Sequence, residues 1–171
     1  PRIRSYSDRY ENRGLLYSED LDDITVTGGG VIDCRGSGFL GGYKERPKGI
    51  YIVGCRGVTF RDVTLRNAPS WMQHYLACDR LTLHDLTVET RRKIQNNDGV
   101  DIDSCHDVVV SGCRITCGDD ALCFKSTLHR PCRNVVVSDC IVSGVCNGIK
   151  FGTESIGGFE NIAISNCIVQ N

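Results

Sequence analysis

The chain has 171 residues, 40% of them hydrophobic, with 20 basic and 21 acidic side chains and a formal net charge of −1. This length is enough for one domain with a continuous core. Because acids and bases are mixed along the chain and no apolar run approaches membrane-spanning length, the composition argues against a nucleic-acid partner and against a membrane partner.

A repeated pattern runs along the sequence, in which a marker residue is followed by apolar residues three, five and eight positions later. The first copy is looser and consists of Leu21, Ile24 and Val26 before a glycine turn at 28–30. The intervals between the later markers are 23, 27, 27 and 27 residues. These markers are Cys55, Cys78, Cys105, Cys132 and Phe159. A fixed period in this range is typical of a solenoid.

Within each copy the apolar residues alternate as in a β-strand, and Gly, Asn or Asp lies at the breaks. We therefore predict an all-β fold, a right-handed single-stranded parallel β-helix of about six coils stacked at ~4.8 Å. A β-sandwich is the alternative, but three identical intervals argue against it because sandwich loops vary in length. We expect residues 1–171 to form a single β-helix domain that is truncated at both ends, since solenoids carry capping coils.

The positions of the 11 cysteines favour a core ladder over a disulfide framework. Cys113, Cys140 and Cys167 are 27 residues apart and so occupy equivalent places on successive coils. Free Cys behaves as a small buried hydrophobe, and in-register neighbours have poor geometry for a bridge. We predict reduced cysteines in the core, with Cys117 and Cys146 left open as exceptions.

The period also aligns one strand from each of three successive coils, which begin near Asp98, Asp120 and Asn147. Two columns should point inward: Val100, Leu122 and Ile149, and Ile102, Phe124 and Phe151. The alternate positions should point outward. They are Asp101, Cys123, Lys150, Asp103 and Lys125.

A polar column is expected where these strands begin, formed by Asp98, Asp120 and Asn147, with Asp119 beside it on a turn. Carboxylates this close repel each other, so at least one should have a raised pKa. A proton-donating acid beside an ionised carboxylate is what cleavage of a glycosidic bond requires. The alternative is a purely structural role, in which a column of Asn and Asp side chains accepts hydrogen bonds from the backbone amides of the turns.

Three motifs follow one another on successive coils: Asn-x-Asp at 96–98, Gly-Asp-Asp at 118–120 and a Gly-rich strand from 147. Their order resembles glycoside hydrolase family 28, the polygalacturonase family, which cleaves pectin on a right-handed parallel β-helix. The resemblance extends from the Gly-Gly-Gly-Val-Ile-Asp segment at 28–33 through residues 67–71 to the end of the chain.

The resemblance implies inverting hydrolysis of a pectic polysaccharide or oligosaccharide, at an α-galacturonosyl or related linkage. Asp119 matches the general acid, and Asp98 and Asp120 match the pair that holds and activates water. Inversion by a single displacement implies no covalent intermediate. No metal or other cofactor is implied either, because two carboxyl groups supply both proton transfers. The resemblance also implies a secreted or periplasmic protein, and we expect a monomer.

The chain departs from the family pattern in two places. The family's Gly-His-Gly segment corresponds to Cys146-Asn147-Gly148 here, so an amide that cannot titrate stands where His is expected. The family's Arg-Ile-Lys segment, which binds the substrate carboxylate, is expected one or two coils beyond Asn171. Lys125 and Lys150 share an outward face and are candidates to bind an acidic sugar instead, although an ordinary surface lysine is favoured for Lys125.

Further expectations concern residues around the three carboxylates. The candidate substrate-binding residues are Asn147, Lys150, Lys125, Asp101, Trp71 and His74. Trp71 is either an exposed platform for a sugar ring or a side chain buried at a coil corner. Glu154 is expected on an exposed loop, the basic run at 91–93 on a solvated loop, and residues 127–131 as a wall of the cleft.

Two alternative functions remain open at this point. One is a β-helix carbohydrate-binding or structural module that has kept the Asp residues without activity. The other is a pectate lyase of similar fold, which needs a calcium site and a catalytic Arg or Lys. Asp101 and Asp103 with Lys125 or Lys150 are weak candidates for that chemistry.

Overall fold

A computed structural model describes residues 2–4, 13–42, 45–90 and 95–170. Apart from 3-10 turns at Gly36–Gly38 and at Glu45, the regular structure in these ranges is β-strand. None of the described residues belongs to a helix with the length and apolarity needed to cross a membrane. The strands in chain order are β1 Gly14–Glu19, β2 Asp22–Val26, β3 Val31–Asp33, β4 Lys48–Val53, β5 Arg56–Arg61, β6 Thr64–Arg66, β7 Gln73–Leu76, β8 Asp79–His84, β9 Thr87–Glu89, β10 Val100–Asp103, β11 His106–Ser111, β12 Arg114–Cys117, β13 Asp120–Ser126, β14 Cys132–Ser138, β15 Ile141–Gly144, β16 Asn147–Ser155, β17 Phe159–Ser165 and β18 Ile168–Gln170.

Every third strand joins the same sheet, which is the topology of a β-helix. Sheet 1 contains β1, β4, β7, β10, β13 and β16; sheet 2 contains β2, β5, β8, β11, β14 and β17; sheet 3 contains β3, β6, β9, β12, β15 and β18. All neighbouring strands within a sheet are parallel. The predicted parallel β-helix is therefore confirmed.

The strand register of sheet 1 is the one that the sequence period predicts. Asp120 is paired with Asn147, and Leu122 is paired with both Val100 and Ile149. The two Asp motifs therefore lie on neighbouring coils, although 22 positions separate Asp98 from Asp120 in the sequence.

In successive coils, the turn that leads from sheet 2 to sheet 3 contains a residue with a left-handed backbone conformation. Five of these turns have such a residue with φ between 49° and 66°: Asp62, Asp85, Gly112, Asp139 and Asn166. Asp, Asn and Gly enter this region at lower cost than other residues, so the sequence places them there. The Asn166 side-chain amide also donates to Asp139, which links two of these turns.

The inward side chains of all three sheets form one continuous core. The marker cysteines of the repeat are buried in it, at positions 55, 78, 105 and 132. All eleven cysteines are free, as predicted. Cys117 is buried at the end of β12, whereas Cys146 is exposed on the turn before β16.

The outer face of sheet 1 is covered by other parts of the chain, which the strand pattern did not predict. Asp101, Asp103, Cys123 and Lys125 point away from the core but are at most 3% exposed. The loop after β13 folds back over this face, and its Leu128 packs on an outer apolar cluster. That cluster consists of Tyr51, Val53, Leu76 and Ala77. The prediction that Lys125 is a surface lysine is therefore wrong.

Candidate active site

Three carboxylates meet where the strands of sheet 1 begin. Asp98 lies in the turn two residues before β10, Asp119 lies just before β13, and Asp120 is the first residue of β13. One oxygen from each lies within 4.8 Å of the other two. The structure therefore brings together the three residues that the sequence singled out.

Two glycines allow the coils to approach this closely. A Cβ atom at Gly99 would lie 2.4 Å from the Ile115 side chain and 2.5 Å from the Ala121 carbonyl oxygen. A Cβ atom at Gly144 would lie 2.1 Å from the Asn147 carbonyl oxygen and 2.5 Å from that of Asp119. Any larger residue at either position would force the backbones around the carboxylates apart.

Asp98 is a buried carboxyl group with a raised pKa. It is 3% exposed, and its Oδ1 atom has no hydrogen-bond partner among the described residues. Burial, together with the negative charges of Asp101 and Asp119, raises the pKa of Asp98 well above its ordinary value. A raised pKa in this cluster was expected, and it belongs to Asp98.

Asp120 has the opposite environment, although it is equally buried at 2% exposure. The Asn147 side-chain amide donates to its Oδ1 at 2.6 Å, and the Lys150 ammonium donates to its Oδ2 at 2.7 Å. Burial lowers the pKa of Lys150, but the hydrogen bond to Asp120 and its negative charge outweigh that and leave it raised. Both oxygens of Asp120 are therefore fixed by charge-assisted or amide hydrogen bonds from the next coil.

Asp119 is the most accessible of the three, being half-buried. The Asn96 backbone N–H donates to its Oδ2 at 2.8 Å, which fixes the carboxylate against the Asp98 turn. That turn is anchored in its own right, because the Asn97 amide donates to the carbonyl oxygens of Ala68 and Ser70 at 2.9 and 2.7 Å. Asn97 is thus a structural residue, as the structural alternative proposed for such side chains.

Lys125 lies in a buried charge network beside the site. Its Nζ is 3.4 Å from Glu154 Oε2, 3.3 Å from the Gly152 carbonyl oxygen and 3.9 Å from Asp101 Oδ1. Burial raises the pKa of Asp101 to about 8, against the opposing effect of the Lys125 and Lys48 charges. Glu154 is the nearer carboxyl partner of Lys125. Glu154 is half-buried on β16, which corrects the exposed loop position predicted for it.

Trp71 and His74 lie under the covered face rather than in solvent. Trp71 is 2% exposed and meets the His74 ring edge-on at 5.0 Å between centroids. His74 stacks on Tyr51 at 5.1 Å, and its Nε2 lies 3.3 Å from Asp103 Oδ2. Of the two alternatives for Trp71, the structure supports a side chain that is buried at a corner of the coil. No exposed sugar platform forms there, because the aromatic ring faces are packed against neighbouring side chains.

Burial raises the pKa of Asp103, but the hydrogen bond and charge of His74, together with two hydrogen bonds from Thr127, hold it below its ordinary value. Thr127 belongs to the loop at 127–131, which was expected to wall the cleft and which binds the sheet face through these contacts. The basic run at 91–93 lies outside the described residues.

The site therefore combines a buried carboxyl group with a raised pKa, a carboxyl group bound by Lys150 and an accessible carboxyl group, with one oxygen of each within 4.8 Å of the others. Such a set can donate a proton at one atom and accept one at another.

The same three oxygens also have the spacing of a cation site, for which Ca²⁺ or Mg²⁺ would be the hard ions that prefer carboxylates. Sequence reasoning missed the Lys150–Asp120 contact, although the outward position of Lys150 one coil above Asp120 was a usable signal.

Comparison with known proteins gives a consistent result across sequence and structure. The sequence profile described as glycosyl hydrolases family 28 matches residues 4–171. A probable polygalacturonase of Vitis vinifera is 30% identical over 119 residues, covering 66% of this chain and 24% of that protein. A polygalacturonase of Juniperus ashei is 27% identical over 135 residues, covering 70% of this chain and 27% of that protein. The chain spans about a quarter of the length of these relatives.

Two solved structures share the fold. The exopolygalacturonase of Thermotoga maritima superposes with a TM-score of 0.80 at 21% identity, covering 96% of this chain and 51% of that one. The family 28 exopolygalacturonase of Yersinia enterocolitica gives a TM-score of 0.60 at 16% identity, covering 86% of this chain and 40% of that one. At these identities the likeness concerns the β-helix itself.

Proposed function

Because the chain belongs to the glycosyl hydrolases of family 28, we propose that it hydrolyses a glycosidic bond of pectic polysaccharide with Asp98, Asp119 and Asp120. The observation that carries this proposal is the meeting of three carboxylates within 4.8 Å in unlike environments. Carboxyl groups whose surroundings push their pKa values apart are suited to opposite roles in proton transfer.

The proposed reaction consumes one water molecule. Asp119, the accessible group, gives its proton to the glycosidic oxygen as the bond from that oxygen to the anomeric carbon breaks. Water held by Asp98 and Asp120 attacks the anomeric carbon and gives its proton to that pair. Asp119 then regains a proton from solvent, and the pair returns one.

The substrate class follows from the relatives, which are named polygalacturonases. We propose an α-linked galacturonic acid or a related uronic or rhamnosyl linkage, a monomeric protein, and a secreted or periplasmic location. Asn147 and Lys150 donate hydrogen bonds to Asp120, and Lys125 lies 3.4 Å from Glu154, so any contact that they make with the substrate is shared with these carboxyl groups. Their role in substrate binding stays a prediction.

The stereochemical course is proposed to be inversion, as the family resemblance implies. Typical inverting enzymes keep their two carboxyl groups about 6.5–9.5 Å apart, to leave room for water, and retaining enzymes keep them about 5–5.5 Å apart. In this site one oxygen from each of the three carboxyl groups lies within 4.8 Å of the other two. The anomeric configuration of the product should therefore be measured directly. Proton NMR of the first-released sugar decides it: a β-anomer from an α-linked substrate supports inversion, and an α-anomer shows retention.

The function is tested by release of reducing ends from polygalacturonate and other pectic fractions by the full-length protein. We expect activity that persists with chelator and yields no unsaturated product, and an Asp119→Asn variant should lose about 10²- to 10⁴-fold in kcat. Unsaturated products that need calcium would identify a lyase. Binding to pectic fractions without any cleavage would identify a carbohydrate-binding module, and full activity of Asp119→Asn would contradict the role of Asp119.

A further inference from the structure

Lys150 stands in a position that the carboxylate motifs do not account for. It lies on the outward face of β16, in register with Cys123 on β13, whereas Asp120 is three residues nearer the start of that strand. Three residues of strand span about 10 Å. Nevertheless the Lys150 ammonium reaches Asp120 Oδ2 at 2.7 Å, so its long side chain runs back along the sheet towards the three carboxylates.

The two donors on Asp120 come from the same strand and occupy different oxygens. Asn147 takes Oδ1 at 2.6 Å, and Lys150 takes Oδ2 at 2.7 Å. A carboxyl group held at both oxygens keeps a fixed plane, and a cation is a strong hydrogen-bond donor to it. Asp98, by contrast, has an Oδ1 atom without a partner among the described residues.

We propose that Lys150 is a positioning residue, which holds Asp120 as an oriented, ionised carboxylate so that Asp120 accepts the proton of the attacking water. This inference rests on the proposed hydrolytic function. Lys150 was expected to contact the substrate, and this inference instead makes it control the position of a catalytic group. Lys150 and Asn147 together then do the work for which a histidine was expected.

The charged and titratable groups around this pair come from three coils. They are Asp98 and Asp101 on one coil, Asp119, Cys123 and Lys125 on the next, and Cys146 on the turn before β16. Lys125 is held by Glu154 at 3.4 Å, so Lys150 is the cation in direct contact with Asp120 among the described residues.

Kinetics of the full-length protein separate positioning from substrate binding. Lys150→Met should lower kcat about 10- to 100-fold with KM changed less than about twofold, because a misplaced catalytic group affects the chemical step. Lys150→Arg should recover most of kcat, since a guanidinium also pairs with a carboxylate. Arg114→Met removes an exposed cation from sheet 3 and should leave both constants unchanged. A higher KM with unchanged kcat in Lys150→Met would overturn the proposal.

A second readout does not depend on activity. Asp120 raises the pKa of Lys150, so NMR titration of ¹³C-labelled lysine should show a lower Lys150 pKa in Asp120→Asn than in the wild type. An identical pKa in both proteins would show that the ion pair does not form, which overturns the proposal. A lowered pKa in a protein that cleaves no pectic substrate would support the pairing and refute the proposed hydrolysis alone.

Discussion

At the scale of single residues, neighbouring carboxyl groups in this protein differ because their surroundings differ. Asp98 and Asp120 are almost equally buried, yet Asp98 lies beside the carboxyl groups of Asp101 and Asp119, whereas the Lys150 ammonium contacts Asp120 at 2.7 Å. Burial, followed by those neighbouring carboxyl groups, raises the pKa of Asp98. These contacts raise the pKa of Asp98, whereas the general-acid role proposed for Asp119 rests on the family resemblance and on its greater accessibility.

Asp101 provides a residue-scale prediction for pH-dependent stability. Its pKa is raised to about 8 by burial, whereas the unfolded chain has an ordinary Asp pKa of about 3.9. Between these values the unfolded state has lost the proton that the folded state keeps. Stability from this group is therefore full below about pH 4 and decreases steadily as the pH rises towards about pH 8.

We expect Asp101→Asn to remove this decline, because an amide does not titrate. Urea unfolding between about pH 5 and about pH 8 should show that the variant gains stability relative to the wild type as pH rises. Asp22→Asn, at an exposed position of β2, is the matched control and should follow the wild type throughout. Parallel curves for Asp101→Asn and the wild type would contradict the assigned protonation of Asp101.

At the scale of elements, the site depends on how closely the turn before β13 approaches the next coil. Gly144 lies where a side chain would meet three backbone atoms of residues 147, 119 and 121, at 2.1, 2.5 and 2.9 Å. Backbone atoms cannot rotate away as a flexible side chain can. Packing between β15 and the turn at Asp119 therefore sets the position of the carboxylates.

Gly144→Ala should lower the free energy of unfolding by about 1–3 kcal/mol, because the added methyl group forces the two coils apart. The same displacement should reduce kcat, since it moves Asp119. Gly30→Ala adds a methyl group where no atom lies within 4 Å, and it should change stability by less than about 0.5 kcal/mol. Equal stability of both variants in thermal and urea unfolding would show that the close approach is not present in solution.

At the scale of the whole molecule, the sequence period predicts the fold and the meeting of the carboxylates but not the covering of sheet 1. The register of Asp120 with Asn147 follows from spacing, because stacked coils have a fixed repeat. The burial of Lys125 and Trp71 depends on segments that fold over the sheet, such as the loop bearing Leu128, and such segments carry no periodic signal. The Lys150–Asp120 pair is an intermediate case, because the period places Lys150 on the outward face one coil beyond Asp120 but does not determine the side-chain conformations that join them.

The central claim is that the coils bring three carboxylates into one hydrolytic centre. The most direct measurement is kcat/KM on a pectic substrate for Asp98→Asn, Asp119→Asn and the double variant, with folding checked by circular dichroism. Residues that act as a unit give strongly non-additive losses. We predict that each single variant loses at least about 10²-fold and that the double variant loses little more than the worse of the two. Losses that simply multiply, or single variants with wild-type activity, would contradict the claim.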